Sequence, residues 1–366
     1  MNDDKPIYER EEDIIEQDPD AEPIYDRKLL TQPYDLVIES LIEQINNKTL
    51  YLRPINERPS FQRRYVWPDL LASRLIESIL LNVPIPPCYL SQNEEFELDV
   101  IDGQQRIYSI YRFLKNQFRL SGLEILKEIN KKFFYELDRK VQRKIATHTL
   151  RCVVITNDSN PKIKFDVFER LNTNTVPLNA QELRNCIYRG TLIDLLGKLS
   201  EYEPWHNILR TKKPDKRMRD EELILRFYAF QIKGIESYYT PQKHWLNDMA
   251  KAGRRFSNER IEELSDLWKS TIDKCLIIFS PHDCFRRLPV TKSKVINRAL
   301  MDLTMCSLAN VSKQKVMDIS IEFYNRYLQL MNNQYFIDMI SKSVDHKSRT
   351  LGRFMIWHDE MCNGLL

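Results

Sequence analysis

The stretch DVIDGQQRIYSIYRFL, residues 99–114, contains the residue types that a phosphate site needs. An apolar run ends at Asp102, Gly103 follows, and two glutamines and Arg106 precede an amphipathic helical pattern. A strand that ends in such a turn points the first N–H groups of the next helix at open space, where they can bind an anion. Amides hydrogen-bond phosphates or bases, arginine binds phosphate in bidentate fashion, and aspartate binds divalent cations. The stretch therefore suits a phosphate-binding turn.

The same residues also have a purely structural interpretation, and both remain open. Asp102 would be the N-cap of the helix, Gly103 would allow the turn, and Arg106 would be exposed to solvent. Apolar residues at helical spacing between Ile107 and Leu114 would pack inward. The polar first turn favours a ligand, because two glutamines and an arginine have no evident structural task there.

Two other segments concentrate polar side chains beside apolar ones. In FQRRYVW, Gln62 and Arg63 stand among three aromatic residues, a mixture that suits a nucleotide or a loop that is pinned to the core. In FERLNTNT, Arg170 and Asn172 lie in one polar loop. A turn explains the asparagines of this loop but does not explain the arginine.

The formal net charge of +3 conceals two oppositely charged regions. Residues 1–24, the acidic leader, carry ten acidic and two basic residues, which leaves a net charge of +11 for the remainder. A leader of this composition does not order itself, and it would be a solubilising tail or a competitor of nucleic acid for the basic body. The tripeptide PIY occurs at residues 6–8 and again at 23–25, which would suit a docking motif.

The densest positive run is RTKKPDKRMR, residues 210–219. It is interpreted either as a solvated loop or as a contact with the DNA phosphate backbone, which would make binding strongly salt-dependent. The second interpretation gives five candidate DNA-binding residues: Lys212, Lys213, Lys216, Arg217 and Arg219.

Composition argues against several protein classes. No run approaches the roughly 20 apolar residues that span a bilayer, and the N-terminus lacks the apolar segment of a secretion signal. The seven cysteines are scattered and show no Cys-x-x-Cys spacing, so we expect reduced thiols in the cytoplasm and neither a disulfide framework nor a zinc site.

Hydrophobic periodicity predicts an α+β chain. The acidic leader is predicted to be disordered over 1–27, an α/β domain follows over 28–160, and an all-helical domain covers 161–366. In the α/β domain, CYLSQ pairs with EFELDVID as a hairpin and LRCVVITN is a strand. Asn179 and Glu182 have the spacing of a capping box. Helices are predicted beyond residue 160 over 163–171, 179–189, 191–199, 219–233, 241–253, 256–279, 291–308, 312–331 and 333–342.

Three motifs occur in the order in which one known family has them: QRxYVW, then DGQQR at a helix start, then FxRLNT followed by PLxxQELR. Over roughly residues 36–190 the chain resembles the N-terminal domain family of GmrS/GmrD-type modification-dependent restriction enzymes. The resemblance implies a ParB/sulfiredoxin-like core. It also implies binding and hydrolysis of a nucleoside triphosphate, and a role in bacterial defence that senses modified phage DNA.

The motif positions carry the family's site onto this chain. The resemblance assigns catalysis to Asp102, Gln105 and Arg106, and Mg²⁺ binding to Asp102. It assigns nucleotide binding to Gln62, Arg63, Gly103, Gln104, Gln105, Arg106, Arg170 and Asn172. No motif distinguishes ATP, GTP or CTP. The chain departs from many relatives at Asn174–Val176, where a glycine is usual.

A second departure concerns the nuclease that many relatives carry at their C-terminus. The six histidines are dispersed and lie on no compact ββα pattern, so we expect that this chain does not cut DNA by itself. A separate nuclease or other defence subunit is the expected partner, and a homo-oligomer stays open. The hypotheses are a triphosphate-hydrolysing DNA sensor, a non-catalytic nucleotide- or DNA-binding module that recruits a nuclease, and, third, a nuclease acting through the ParB-like pocket.

Overall fold

The chain divides into two compact units at Asn179. Tyr25–Asn179 form the sheet unit, and Ala180–Leu366 together with Met1–Ile24 form the helical unit. The structure, a computed structural model, describes residues 7–8, 29–52, 67–171, 179–289 and 295–366, with only the backbone described at 161–162 and 169–171. A mixed sheet in the first unit and helices in the second confirm the predicted α+β class.

Short strands in the described part of the sheet unit build a five-stranded sheet of order β1-β7-β4-β5-β3 and a separate β2-β6 pair. Their bounds are β1 Thr31–Pro33, β2 Leu36–Val37, β3 Leu50–Tyr51, β4 Cys88–Gln92, β5 Leu98–Asp102, β6 Thr149–Leu150 and β7 Cys152–Ile155. The predicted hairpin is confirmed, since β4 and β5 are antiparallel with Leu90 opposite Val100. β4 also pairs with β7 in parallel, which places Cys88 beside Cys152.

The described part of the sheet unit also contains five α-helices. They are α1 Ile38–Asn46, α2 Asp69–Leu81, α3 Gln104–Leu114, α4 Arg139–Ala146 and α5 Pro161–Leu171. By its contacts α5 groups with the sheet, whereas the sequence predicts that the helical domain starts at 161.

Helix α3 is held by two apolar clusters. Ile107 packs with sheet residues such as Leu90 and Val100. Ile110 and Phe113 pack with the buried face of α2 in the other cluster. Because apolar side chains face both ways, burial fixes the position of this helix and of the turn before it.

The helical unit consists, in its described part, of ten α-helices around an aromatic core. Their bounds are α6 Ala180–Ile187, α7 Thr191–Ser200, α8 Glu203–Leu209, α9 Arg219–Tyr228, α10 Gln242–Ala252, α11 Asn258–Ile278, α12 Arg298–Leu308, α13 Lys313–Leu330, α14 Gln334–Ser341 and α15 Lys347–Trp357. Trp205 and Phe227 both meet Trp268 edge-on, with ring centroids 5.4 and 5.3 Å away.

Several predicted helix boundaries are wrong. The helix predicted over 291–308 begins at Arg298, because Asn297 is extended and its side chain caps α12 by accepting from the N–H of Leu300. Helices α4, α8 and α15 had no counterpart in the prediction, since their short apolar patterns are weak. None of the described helices is long and apolar enough to cross a membrane.

Candidate functional site

The turn between β5 and α3 is the centre of the predicted site. Asp102 is the last residue of β5, and Gly103 is the N-cap of α3 with φ 95° and ψ 6°. The prediction that Asp102 caps the helix is therefore wrong, because this residue completes the strand. The first intrahelical hydrogen bond runs from the N–H of Ile107 to the carbonyl of Gly103 at 2.9 Å. The N–H groups of Gln104 and Arg106 lie in the first turn, before the first residue whose N–H bonds within the helix, so the helix itself offers them no acceptor.

Gly103 is required for two reasons. Its positive φ lies in the left-handed region that side chains disfavour. A Cβ atom there would also clash with the Sγ of Cys88, on the neighbouring strand β4. The Cys152 thiol donates to the carbonyl of Leu150 at 3.6 Å. Its interaction with the neighbouring Cys88 thiol lowers the pKa of Cys88 against the opposing effect of burial and, together with burial, raises the pKa of Cys152.

Arg106 is held by the protein. Its Nη2 atom donates to Asp102 Oδ2 at 2.7 Å and to the carbonyl of Pro87 at 3.4 Å, and its Nη1 atom donates to the carbonyl of Pro86. The side chain is 13% exposed, so the expectation of a solvent-exposed arginine is wrong. The guanidinium ties the helix start to the extended segment that enters β4.

The two glutamines of the motif also have protein partners. Gln104 Nε2 donates to the carbonyl of Val100 at 3.0 Å. Gln105 Oε1 accepts from the N–H of Trp67 at 3.4 Å. The polar first turn thus has a structural task that the sequence did not reveal. Any phosphate in this turn would depend mainly on the backbone N–H groups and on the positive end of α3.

The remaining predicted nucleotide residues cannot be placed around this turn. Gln62, Arg63 and Asn172 lie outside the described residues, as does the side chain of Arg170, whose backbone is in α5. Trp67 is described, and its bond to Gln105 joins the motif to the chain that follows the Gln62–Arg63 segment. Asp102 is the candidate Mg²⁺ ligand, and its side chain is 33% exposed. The described residues contain no group of three or more metal-binding side chains.

The predicted DNA-binding residues separate into two sets. Lys212, Lys213 and Lys216 are exposed. Arg217 forms an ion pair with Glu182 at 3.0 Å, and Arg219 forms one with Asp215 at 2.6 Å. These arginines therefore have structural partners within the helical unit.

The helical unit also contains a buried polar network that the sequence motifs did not predict. Arg184 of α6 donates to Glu222 of α9 at 2.7 Å and to Asn247 of α10 at 2.9 Å. Asn185 donates to Glu221 at 2.8 Å. The sequence signal for this network is a pair of motifs: QELRN contains an arginine, and RDEEL contains the acidic residues that can pair with it. This network joins helices α6, α9 and α10 in the core of the unit.

The family comparison agrees with the motifs. A family model, the GmrSD restriction endonuclease N-terminal domain, matches residues 38–189. A search of curated proteins and a search of solved structures returned no match. The matched segment begins with α1, contains the β5–α3 turn and ends just after α6. Residues 38–189 therefore belong to the GmrSD restriction endonuclease N-terminal domain family.

Proposed function

We propose that the β5–α3 turn binds the phosphates of a nucleoside triphosphate, and that the chain is a DNA sensor in a prokaryotic restriction-type defence system against phage. The observation that carries this proposal is the Gly103 turn, after which an eleven-residue helix begins directly beyond the C-terminal end of β5. The positive end of a helix attracts phosphate, and a glycine there permits close approach of the backbone. Membership of a restriction endonuclease domain family supports the defence context.

Each residue of the turn has a proposed role. The N–H groups of Gln104 and Arg106 would bind phosphate oxygens, while Arg106 would add positive charge beside them. Asp102 has a partly exposed carboxylate, and one carboxylate together with substrate phosphates is a donor set that suits Mg²⁺. The ion would neutralise phosphate charge when bound. ParB/sulfiredoxin-like topology belongs to the same proposal.

DNA contact is proposed for the exposed lysines of the helical unit. Lys212, Lys213 and Lys216 lie in a region of net positive charge outside the acidic leader. Contact with the phosphate backbone needs only exposed cationic side chains, and it carries no sequence information. Cleavage would be delegated to a separate nuclease subunit.

A non-catalytic binding module is the second candidate, and one observation favours it. Asp102 and Arg106 form an ion pair with each other at 2.7 Å, so neither is poised to activate water. In this version the same turn would bind nucleotide without turnover and recruit the nuclease.

Phosphate release from ATP, GTP and CTP, measured with Mg²⁺ and with or without DNA, distinguishes the two candidates. The sensor predicts turnover that Asp102→Ala and Arg106→Ala abolish, with circular dichroism confirming that both variants fold. Binding without turnover under every condition would support the module. If neither binding nor turnover is found with any triphosphate, the proposed nucleotide site is wrong.

A further inference from the structure

Two residues of the acidic leader are seated on the helical unit. Tyr8 forms a parallel β-bridge with Ile296, and the N–H of Ile296 donates to the carbonyl of Ile7 at 3.4 Å. The Ile7 side chain is only 7% exposed, although it comes from a segment whose composition predicts disorder. A buried isoleucine and a backbone hydrogen bond are the contacts that strand-like peptides make with a receiving edge.

The tyrosine adds a side-chain contact to this edge. The guanidinium carbon of Arg298 lies 4.7 Å from the centre of the Tyr8 ring, which is within cation–π range. Burial raises the pKa of Tyr8, and the charge of Glu222 raises it further, while Arg298, Arg226 and Arg219 lower it. Three arginines of the helical unit therefore act electrostatically on Tyr8, and Arg298 is the one that contacts its ring.

The receiving edge is positioned by its own contacts. The N–H of Asn297 donates to the carbonyl of Phe285 at 2.7 Å, and its Nδ2 atom donates to the carbonyl of Ile340 at 2.8 Å. Its Oδ1 atom caps α12 by accepting from Leu300 N–H at 3.0 Å. None of these bonds involves the leader, so the edge Ile296–Arg298 is preformed.

The sequence contains this seated motif twice. Residues 6–10 read PIYER, and residues 23–27 read PIYDR, which differ only by aspartate for glutamate. Proline fixes its own φ and disfavours the helical conformation of the residue before it, so each copy begins in a segment suited to strand-like docking. Isoleucine and tyrosine, the two residues that make the contacts at the first copy, are unchanged in the second.

We propose that Ile296–Arg298 form a peptide-docking site for the motif Pro-Ile-Tyr-acid-Arg, and that the chain's own Ile7 and Tyr8 occupy it. Docking there tethers a leader of net charge −8 to the helical unit through Ile7 and Tyr8, beside Arg298. The leader then competes with DNA phosphates for the basic body, a consequence that rests on the proposed function.

A labelled peptide of residues 4–12 tests the docking site by fluorescence anisotropy. The full-length double variant, in which both copies are changed (Ile7→Asp/Tyr8→Ala and Ile24→Asp/Tyr25→Ala), carries no intact tethered motif. It should bind this peptide about tenfold more tightly than the wild type, where the tethered motif competes. An unlabelled peptide of residues 21–29 should displace it, and the peptide with Tyr8→Ala should not bind. Adding Arg298→Ala to the double variant should weaken binding, whereas Arg260→Ala on the exposed face of α11 should not.

Equal peptide affinity in the wild type and the double variant would overturn the proposal, as would equal binding of the tyrosine-free peptide. A parallel titration with a short DNA duplex separates this inference from the proposed function. Tighter DNA binding by the double variant supports competition, and unchanged DNA binding contradicts it. If the peptide binds as expected but DNA binds neither protein, the docking site stands and the DNA-sensing function fails.

Discussion

At the residue scale, the polar side chains of the DGQQR motif build the turn in which they lie. Arg106 bonds to Asp102 and to two proline carbonyls, Gln104 bonds to β5, and Gln105 bonds to the backbone at Trp67. Substituting any of these residues removes a structural contact together with any ligand contact. Activity loss in Asp102 or Arg106 variants therefore needs a separate measurement of folding.

Gly103→Ala should destabilise the protein more than glycine replacement at another positive-φ position. The new methyl group would meet both an unfavourable φ and the Sγ of Cys88, so we expect a loss of about 2–4 kcal/mol in unfolding free energy. Gly364→Ala is the matched control, because Gly364 has φ +69° but a methyl group added there would meet no atom within 4 Å, and it should cost about 1 kcal/mol. Equal losses in urea denaturation would show that the Cys88 contact is unimportant.

Glu77 should make the unfolding free energy of the sheet unit depend on pH in the acidic range. Burial raises the pKa of this carboxyl, but hydrogen bonds from the N–H groups of Leu126, Ile125 and Glu124 outweigh burial and lower it. The stabilisation is complete above the ordinary glutamate pKa of about 4.3 and is lost as the pH falls through the lowered folded-state pKa. Glu77→Gln should reduce stability at neutral pH. Below about pH 4.3 the melting temperature of this variant should fall less steeply with decreasing pH than that of the wild type. Glu128→Gln, an exposed position in the short 3-10 helix that follows these N–H groups, should leave both unchanged.

At the element scale, the sequence predicted what local periodicity determines. The β4–β5 hairpin and the start of α2 were predicted correctly, because alternation and helical spacing are strong there. The start of α12 was not, since residue Asn297 takes its extended conformation from bonds to Phe285 and Ile340, which are distant in sequence. The same reason explains why the partners of the DGQQR side chains were missed.

The basic run at 210–219 also shows that contacts between residues distant in sequence cannot be predicted from the local pattern. Its charge was visible in the sequence, but the burial of Glu182, which holds Arg217, was not. A charge run alone therefore cannot separate residues that bind DNA from residues that stabilise a helix pair.

Substitutions in this run should separate those two sets. Replacing Lys212 and Lys213 together by alanine should weaken DNA binding and reduce the slope of log affinity against log salt by about 0.9 for each lost contact. The melting temperature should not change, because these side chains are exposed. Arg217→Ala should instead lower the melting temperature, since it leaves the buried Glu182 carboxylate without this partner. A salt slope unaffected by the lysine substitutions would remove the run from the DNA interface.

At the scale of the whole molecule, the family domain and the compact units have different boundaries. The family match ends at residue 189, whereas the sheet unit ends at Asn179, so α6 with its QELRN motif belongs to the helical unit. Arg184 and Asn185 of that motif bind α9 and α10 within the same unit. The family domain therefore includes a helix whose buried partners lie outside the matched segment.

The central claim is that α3 binds a triphosphate at its N-terminus, and calorimetry with a charge placed there tests it most directly. Gln104→Glu adds a negative charge at the first residue of α3, and Gln117→Glu makes the same change just beyond the C-terminal end of the helix. The wild type and Gln117→Glu should bind at least one of ATP, GTP and CTP in the presence of Mg²⁺. Gln104→Glu should bind the same nucleotide with an affinity at least about tenfold lower. Equal affinity in the two variants, or no binding heat for any triphosphate with the wild type, would contradict the claim.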